Sequence, residues 1–290
     1  MMKPLDTWNF ALFSAHIHHF LPHIAWDRHP ILYRQWKRYH SHENRLFDDS
    51  NMDLSKAVDW LDLSPGILLL FHLGDHLFWP QKLAQKGVVF DLLMDRVVYE
   101  KNATKLRKLQ DLCTVNGVKS SYFFSDEPML IFKMRSSIKQ GRHILIFADG
   151  TSSASAVDKR IDVQFLASSI AVKPGIAAIS YLLKCSLYAM HSKVIGNRLL
   201  LDLPTIFCTD TLINRDIYIA QTMQKLFDGL AGELLLYPYR WECWGYLHSN
   251  GMWHLPEGKI EVGSQFDHLL KLPKKNGMAF FDRINYQLYY

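Results

Sequence analysis

Two short polar segments follow apolar runs, and both carry residue types that can do chemistry. In the first, His72 and His76 flank Gly74 and Asp75 directly after the apolar run 67–71. Histidine titrates near neutral pH, which suits general-base catalysis, and glycine lets backbone approach a ligand. His72 is therefore a candidate general base, and the competing interpretation is a histidine that only caps the following helix.

The second segment follows the apolar run 143–147 and reads Asp149, Gly150, Thr151, Ser152. It combines a turn with backbone N–H groups, two hydroxyls and one carboxylate. Three interpretations stay open for it. The segment can hold an anion, orient a histidine, or form a well-capped loop.

A third group of histidines near the start of the chain raises the question of metal binding. His19 and His23 are four residues apart, a spacing that can place two ligands on one helix face. No acidic residue or cysteine follows at a usual ligand spacing, and His16 and His18 fit a surface feature as well. We expect no metal site and no cofactor.

The two chemical segments need a scaffold, and the hydrophobic pattern indicates one. Short apolar runs read as buried strands alternate with amphipathic helical stretches. The predicted strands are 67–71, 88–99 (with a break), 122–124, 143–147, 163–166, 187–190 and 199–203, and the predicted helices are 53–62, 77–85, 103–112, 125–141, 174–183 and 215–236. This alternation predicts the α/β class, with a mixed, mostly parallel central sheet flanked by helices. Since ligands gather beyond the carboxyl ends of such strands, His72 and Asp149 are expected at that edge.

Composition bounds the class of protein. The chain has 290 residues, of which 49% are hydrophobic and 21% charged, which excludes a disordered, collagen-like or coiled-coil protein. The net charge of +5 is small and spread along the chain, so we expect no nucleic-acid partner. We expect a single domain over 1–290, with an N-terminal aromatic and His-rich extension (1–50) and a C-terminal extension (251–290).

The sequence also bears on location. No apolar segment reaches the ~18–20 residues that span a bilayer, and histidines interrupt the stretch 8–26, which lacks a signal cleavage site. We expect a cytoplasmic protein. An open alternative is peripheral contact with the cytoplasmic face of the inner membrane through 8–39, with aromatic side chains at the interface and Arg34, Lys37 and Arg38 towards anionic headgroups.

Five stretches, in order, resemble one known family. They are LFHLG (70–74), DLLMDRVVYEKN (91–102), MRSSIKQG followed by HILIFADG (134–150), VQFL leading to VKPG (163–175), and YPYRWECW (237–244). Together they are similar to the lipid A biosynthesis lauroyl/myristoyl acyltransferases of the glycerolipid acyltransferase superfamily. The resemblance covers about residues 60–250 and implies that superfamily's fold.

The resemblance implies an acyltransferase with His72 as its general base. The acyl chain would move from an acyl carrier protein or coenzyme A thioester to a hydroxyl or amine of a small molecule, peptide or lipid precursor. The family places an acidic residue five positions after this histidine, where this chain has Leu77. Another carboxylate must then orient the imidazole. We prefer Asp75, the nearest, over Asp149, which ends a strand expected to neighbour the one before His72.

The remaining site residues are assigned to substrate binding in the light of the same resemblance. They are His76, Gly150, Thr151, Ser152, Arg142 and Arg160. Either arginine would meet the phosphate of the donor's phosphopantetheine or an acidic carrier protein, or would only be solvated. Members that acylate lipid A begin with an apolar anchor helix that this chain lacks, so a soluble acceptor is preferred. A catalytically inactive acyl- or carrier-protein-binding scaffold and a thioesterase remain the alternatives.

Overall fold

The computed structural model describes residues 8–41, 50–74, 76, 78–150, 159–208, 213–253, 266–274 and 277–289. The chain divides into two compact units. The sheet unit comprises Leu46–Ile161 and Lys173–Leu226, and the terminal unit comprises Met1–Arg45, Asp162–Val172 and Phe227–Tyr290. The prediction of a single domain remains a prediction.

The helices and strands have the following bounds. The helices are α1 (Trp8–Phe20), α2 (His29–His40), α3 (Trp79–Lys86), α4 (Arg96–Val115), α5 (Leu130–Lys139), α6 (Gly175–Leu183) and α7 (Arg215–Leu236). The strands are β1 (Met52–Leu54), β2 (Ile67–Leu70), β3 (Phe90–Met94), β4 (Tyr122–Phe124), β5 (His143–Phe147), β6 (Ile161–Phe165), β7 (Ser168–Val172), β8 (Leu187–Ile195), β9 (Arg198–Phe207), β10 (Leu269–Lys274), β11 (Gly277–Asp282) and β12 (Gln287–Tyr289).

Seven strands form the central sheet of the sheet unit, in the order β1-β9-β8-β2-β5-β3-β4. Five neighbours, β8, β2, β5, β3 and β4, run parallel, and only the β8–β9 pair is antiparallel. The predicted α/β class with a mixed, mostly parallel sheet is therefore confirmed. Because β5 lies between β2 and β3, the chain leaves β2, builds β3 and β4, and then returns beside β2.

Helices cover both faces of this sheet, as the alternation along β3 shows. Phe90 and Leu92 belong to the apolar core that also contains Leu83 of α3 and Leu109 of α4. Asp91, between them, points the other way and accepts a hydrogen bond from the Ser137 hydroxyl of α5. Thus α3 and α4 cover one face, and α5 covers the other.

Two sequence predictions in this unit are wrong. The stretch 53–62 is not a helix, because Met52–Leu54 pairs with β9 as strand β1, and this long-range pairing overrides local helix propensity. The stretch 88–99 is a strand only over Phe90–Met94. Asp95 then starts α4, since its carboxylate accepts the Val97 N–H at 2.7 Å and caps the helix.

Other differences are smaller. β6, predicted to continue the central sheet, instead pairs with β7 in a separate two-stranded sheet. The strands predicted at 187–190 and 199–203 are longer than predicted and form an antiparallel hairpin, β8 and β9. Helix α5 begins at Leu130, after Met129 in a left-handed conformation, rather than at Ser125. The strands 122–124 and 143–147 and the helix 215–236 have the predicted bounds.

Gly66 allows the chain to enter β2. A Cβ atom at this position would lie 2.5 Å from the Ser186 carbonyl oxygen and 2.8 Å from Cε2 of Tyr188. Both neighbours are needed, because the Ser186 oxygen accepts the Ile67 N–H and Tyr188 reaches the Ser64 carbonyl. A side chain at position 66 would therefore push β2 away from β8.

The terminal unit has its own core, which includes a buried polar network. The Arg283 guanidinium donates to the Ser14 hydroxyl, which contacts Nδ1 of His29 at 2.7 Å, while Nε2 of His29 donates to the Ile24 carbonyl. Burial lowers the pKa of His29 to about 4, and the charge of Arg283 acts in the same direction. His29 is therefore neutral at pH 7.

Five aromatic side chains of the N-terminal stretch belong to the interior of this unit. Phe10, Phe13, Phe20, Tyr33 and Tyr39 are buried. These five rings are therefore not exposed to a membrane surface, whereas Arg34, Lys37 and Arg38 are exposed. None of the helices within the described residues combines the length and hydropathy that crossing a membrane requires.

Candidate active site

His72 and Asp149 meet because two neighbouring parallel strands end side by side. Leu70, the last residue of β2, is paired with Phe147, the last residue of β5. The Ala148 N–H donates to the Leu70 carbonyl at 2.7 Å and extends the ladder by one step. His72 and Asp149 each lie two residues beyond their strand, so they share the carboxyl edge of the sheet.

The two side chains are hydrogen-bonded. Nδ1 of His72 lies 2.7 Å from Oδ1 of Asp149, and the backbone N–H of His72 donates to both carboxylate oxygens at 3.1 and 3.2 Å. The Asp149 carboxylate has no exposed surface, whereas 27% of the His72 side chain is exposed. A buried carboxylate behind a partly exposed imidazole is the arrangement that fixes a histidine's orientation and tautomer.

Two aromatic rings fix the imidazole further. Phe147 stacks on His72 with ring centroids 4.7 Å apart, and His76 meets it edge-on at 4.9 Å. Nδ1 of His76 lies 2.7 Å from the Leu73 carbonyl oxygen, so this nitrogen carries a hydrogen. His76 is buried and adjoins the candidate base.

A cavity of about 440 Å³ opens beside His72, within the sheet unit. Its walls are mainly apolar and come from the ends of β3 and β5 and from α4, α5 and α6. Six of the apolar lining residues are Leu93, Val98, Leu130, Ile146, Ile176 and Ile179. The polar and charged side chains that line it are His72, Asp95, Ser125, Lys159 and Lys173. The space is of the size that small-molecule sites have, ~300–1,000 Å³.

Arg142, predicted to bind substrate, lies at the opposite end of β5. Its guanidinium pairs with the buried carboxylate of Asp91 and also donates to the Ser121 hydroxyl. Burial lowers the pKa of the Arg142 guanidinium. The five residues of β5, ~16 Å long at 3.3 Å per residue, separate this pair from Asp149. The structure therefore gives Arg142 a packing role and does not bring it to the cavity.

The other predicted site residues divide into three groups. Gly150 lines the cavity and is exposed. Arg160 is half-buried, and the described lining of the cavity includes its neighbour Lys159 instead. Asp75, Thr151 and Ser152 lie outside the described residues.

Sequence reasoning missed the two lysines and most of the apolar wall. Lys173 stands in the VKPG stretch that was read only as a helix start. The apolar wall residues carried no distinguishing signal, because they have the same residue types as the core.

No protein-family model matches the chain, and a search of curated proteins found no significant match. Among the described residues, no group of three or more His, Cys, Asp or Glu side chains is arranged to hold a metal ion.

Proposed function

We propose that the protein is an acyltransferase that moves a fatty acyl chain from a thioester donor, acyl carrier protein or coenzyme A, to a hydroxyl or amine. His72 is the general base and Asp149 orients it. The observation that carries this proposal is the 2.7 Å contact between Nδ1 of His72 and the buried Asp149 carboxylate at the edge of an apolar cavity.

The chemistry follows from the tautomer that Asp149 selects. With the hydrogen on Nδ1 donated to the carboxylate, the lone pair of His72 is on Nε2. Nε2 takes the proton of the acceptor hydroxyl or amine as the acceptor atom bonds to the thioester carbonyl carbon. The C–S bond then breaks, and the imidazolium returns the proton to the departing thiolate. Asp149 stabilises the imidazolium in between, and no acyl-enzyme is required.

The cavity suits the donor's acyl chain because its walls are mainly aliphatic. Burial of methylene groups would supply affinity at ~0.8 kcal/mol each. A glycerolipid-acyltransferase-like fold is part of the proposal. The mostly parallel sheet with a histidine just beyond a buried strand supports it.

The acceptor is proposed to be a small molecule, a peptide or a lipid precursor, and the protein to be cytoplasmic. Peripheral membrane contact remains the alternative location. The exposed Arg34, Lys37 and Arg38 on α2, near the exposed Ile31, support that alternative.

The test is turnover of defined thioesters. Purified protein is incubated with dodecanoyl carrier protein or dodecanoyl coenzyme A and an acceptor extract, and thiol release is followed. Transfer predicts thiol release that depends on the extract, a new acylated product, and loss of both in His72→Ala. Free fatty acid formed at equal rates with and without extract identifies a thioesterase instead. Acyl-carrier binding without turnover, unchanged in His72→Ala, identifies a scaffold.

A further inference from the structure

Phe147, the last residue of β5, has neighbours of three different kinds. Its ring stacks on the imidazole of His72, with the centroids 4.7 Å apart and an angle of 29° between the ring planes. It also packs against the apolar core that contains Leu70 and Leu145, and it forms part of the cavity wall. One side chain therefore adjoins both the candidate base and the space proposed for the acyl chain.

The imidazole needs more than its hydrogen bond to be oriented. The 2.7 Å contact between Nδ1 of His72 and Oδ1 of Asp149 fixes the position of one ring atom but not the plane of the ring. The direction of the lone pair on Nε2 depends on that plane, and a displacement of ~1 Å at a reacting group costs on the order of 10²-fold in rate. The Phe147 ring restrains the plane from its face, and His76 meets it edge-on at 4.9 Å.

A side chain that positions another group must itself be held in place. The core holds Phe147 beside Leu70 and Leu145, whereas the part of Phe147 that lines the cavity borders open space. An aliphatic chain in the cavity would fill this space and restrain the ring through van der Waals contacts. The order of the imidazole would then depend on what occupies the cavity.

We propose that Phe147 is a positioning residue through which an apolar chain bound in the cavity orders the imidazole of His72. This inference rests on the proposed acyl transfer and specifies how the site selects its donor. Long-chain thioesters react faster than short ones because they complete the packing around the base. Binding energy from a part of the donor remote from the reacting carbonyl is thereby used to raise kcat and not only to lower KM.

Kinetic constants for dodecanoyl and acetyl coenzyme A, measured with a saturating acceptor extract, test this selection. We expect wild-type protein to have a kcat at least about tenfold higher with the dodecanoyl donor. Phe147→Leu keeps an apolar side chain without a flat face, so it should reduce this ratio to less than about threefold, mainly by lowering kcat for the dodecanoyl donor. Phe147→Tyr keeps the ring and should retain the wild-type ratio.

Phe124→Leu is the matched control. Phe124 is also a half-buried phenylalanine at the last position of a parallel strand, β4. Its ring contacts Tyr99 and Arg96, and it is not part of the described cavity lining. This variant should keep the wild-type ratio of the two kcat values.

A second measurement does not require turnover. The His72 imidazole is followed by NMR in protein labelled with ¹⁵N-histidine, and His72→Gln identifies its signals. The added ligand is S-dodecyl pantetheine, a thioether that cannot transfer its chain, and its binding is measured by calorimetry. We expect the His72 ring signals to shift and narrow on binding in wild-type protein and in Phe147→Tyr, but not in Phe147→Leu at the same occupancy.

Equal kcat values for the two donors in wild-type protein overturn the inference even if the protein transfers acyl chains. A ratio that persists in Phe147→Leu also overturns it, because the selection then arises elsewhere. Failure of the thioether to bind, or binding without a change at His72, has the same consequence. A response of His72 that requires the Phe147 ring, in a protein that never turns over, supports the inference while the proposed function fails. Melting temperatures are measured for every variant, and Phe147→Met takes the place of Phe147→Leu if that variant does not fold.

Discussion

Replacing Asp149 by asparagine tests the candidate site most directly. The substitution keeps the shape of the side chain and removes its charge. In the structure this carboxylate accepts three hydrogen-bond contacts, one from Nδ1 of His72 and two from the backbone N–H of the same residue. Asparagine can present an NH₂ group to Nδ1 and so favour the tautomer with its hydrogen on Nε2, which cannot accept a proton.

The expected loss is large. In Ser-His-Asp triads the same change lowers kcat by ~10⁴ because the histidine is held in the wrong tautomer. A loss of ~10³–10⁴ corresponds to ~4–5.4 kcal/mol of transition-state stabilisation. Asp149 is fully buried like a triad aspartate, and its 2.7 Å contact is as short as charge-assisted hydrogen bonds are, so we expect the effect to fall in this range.

The assay is the initial rate of thiol release from dodecanoyl coenzyme A or carrier protein, in the presence of acceptor extract. Asp75→Asn tests the carboxylate that is nearest in sequence. Asp202→Asn is the matched control, because Asp202 pairs with Lys193 at the surface of β9 and contributes nothing to the cavity lining. We expect Asp202→Asn to keep the rate within about twofold, since exposed ion pairs contribute ~0–1 kcal/mol. Asp75→Asn should also keep the rate within about twofold, because Asp149 already holds Nδ1 of His72.

A wild-type rate in a folded Asp149→Asn protein would refute the orienting role of Asp149. A loss in Asp75→Asn that equals the loss in Asp149→Asn would also contradict it. Melting temperatures decide whether a lost rate reflects chemistry, because removing a charged partner from a buried hydrogen bond costs ~1–3 kcal/mol of stability by itself.

Three further predictions concern stability. Gly66→Ala should lower the melting temperature, because overpacking lowers the free energy of unfolding by ~1–3 kcal/mol. Gly232→Ala, at a position on α7 with open space around it, should instead raise the free energy of unfolding by up to ~1 kcal/mol. Equal effects of the two substitutions would contradict the close approach at β2. Arg142→Met should lower the free energy of unfolding by ~3–5 kcal/mol, because it leaves the Asp91 carboxylate buried without the Arg142 guanidinium. Adding Asp91→Leu should recover most of this loss in denaturant titrations. A raised KM with unchanged stability would instead indicate that Arg142 binds substrate. The lowered pKa of His29 means that the unfolded chain binds a proton between pH 6.5 and about 4 that the folded chain does not, so stability falls as pH falls through that window by up to ~3 kcal/mol. His29→Gln should remove this part of the pH dependence of unfolding, and an unchanged profile would show that another group causes it.

Local sequence patterns were enough to predict some of the helices and strands. The strand at 143–147 is a continuous apolar run, and the helix at 215–236 repeats apolar residues every three to four positions, so both were predicted with their observed bounds. The prediction of a helix over 53–62 was wrong because pairing with the edge of β9, about 145 residues away, decides the structure there. The prediction of a strand over 88–99 was wrong for a local reason. Asp95, which caps the start of α4, was visible in the sequence but was not taken into account.

The site shows the same division between local and long-range information. His72 was predictable because a histidine and a glycine follow a buried strand. Its partner was predicted only as the second choice, since proximity in sequence favoured Asp75, whereas the structure places Asp149, 77 residues away, in contact with the ring. The ion pair of Arg142 was missed for a related reason: its partner Asp91 is 51 residues away, and nothing local indicates a buried pair.

The geometry of the candidate site is therefore a property of strand order and register. β5 returns beside β2 after the chain has built β3 and β4, and the pairing of Leu70 with Phe147 makes the second residue beyond each strand meet. Side chains alternate between the faces of a sheet, so a shift of β5 by one residue would carry the Asp149 carboxylate away from the imidazole. Leu68, Leu70 and Leu145 are among the buried apolar residues that hold this register, and they are not part of the described cavity lining. A substitution that loosened their packing would separate the carboxylate from its histidine while both residues remained in the chain.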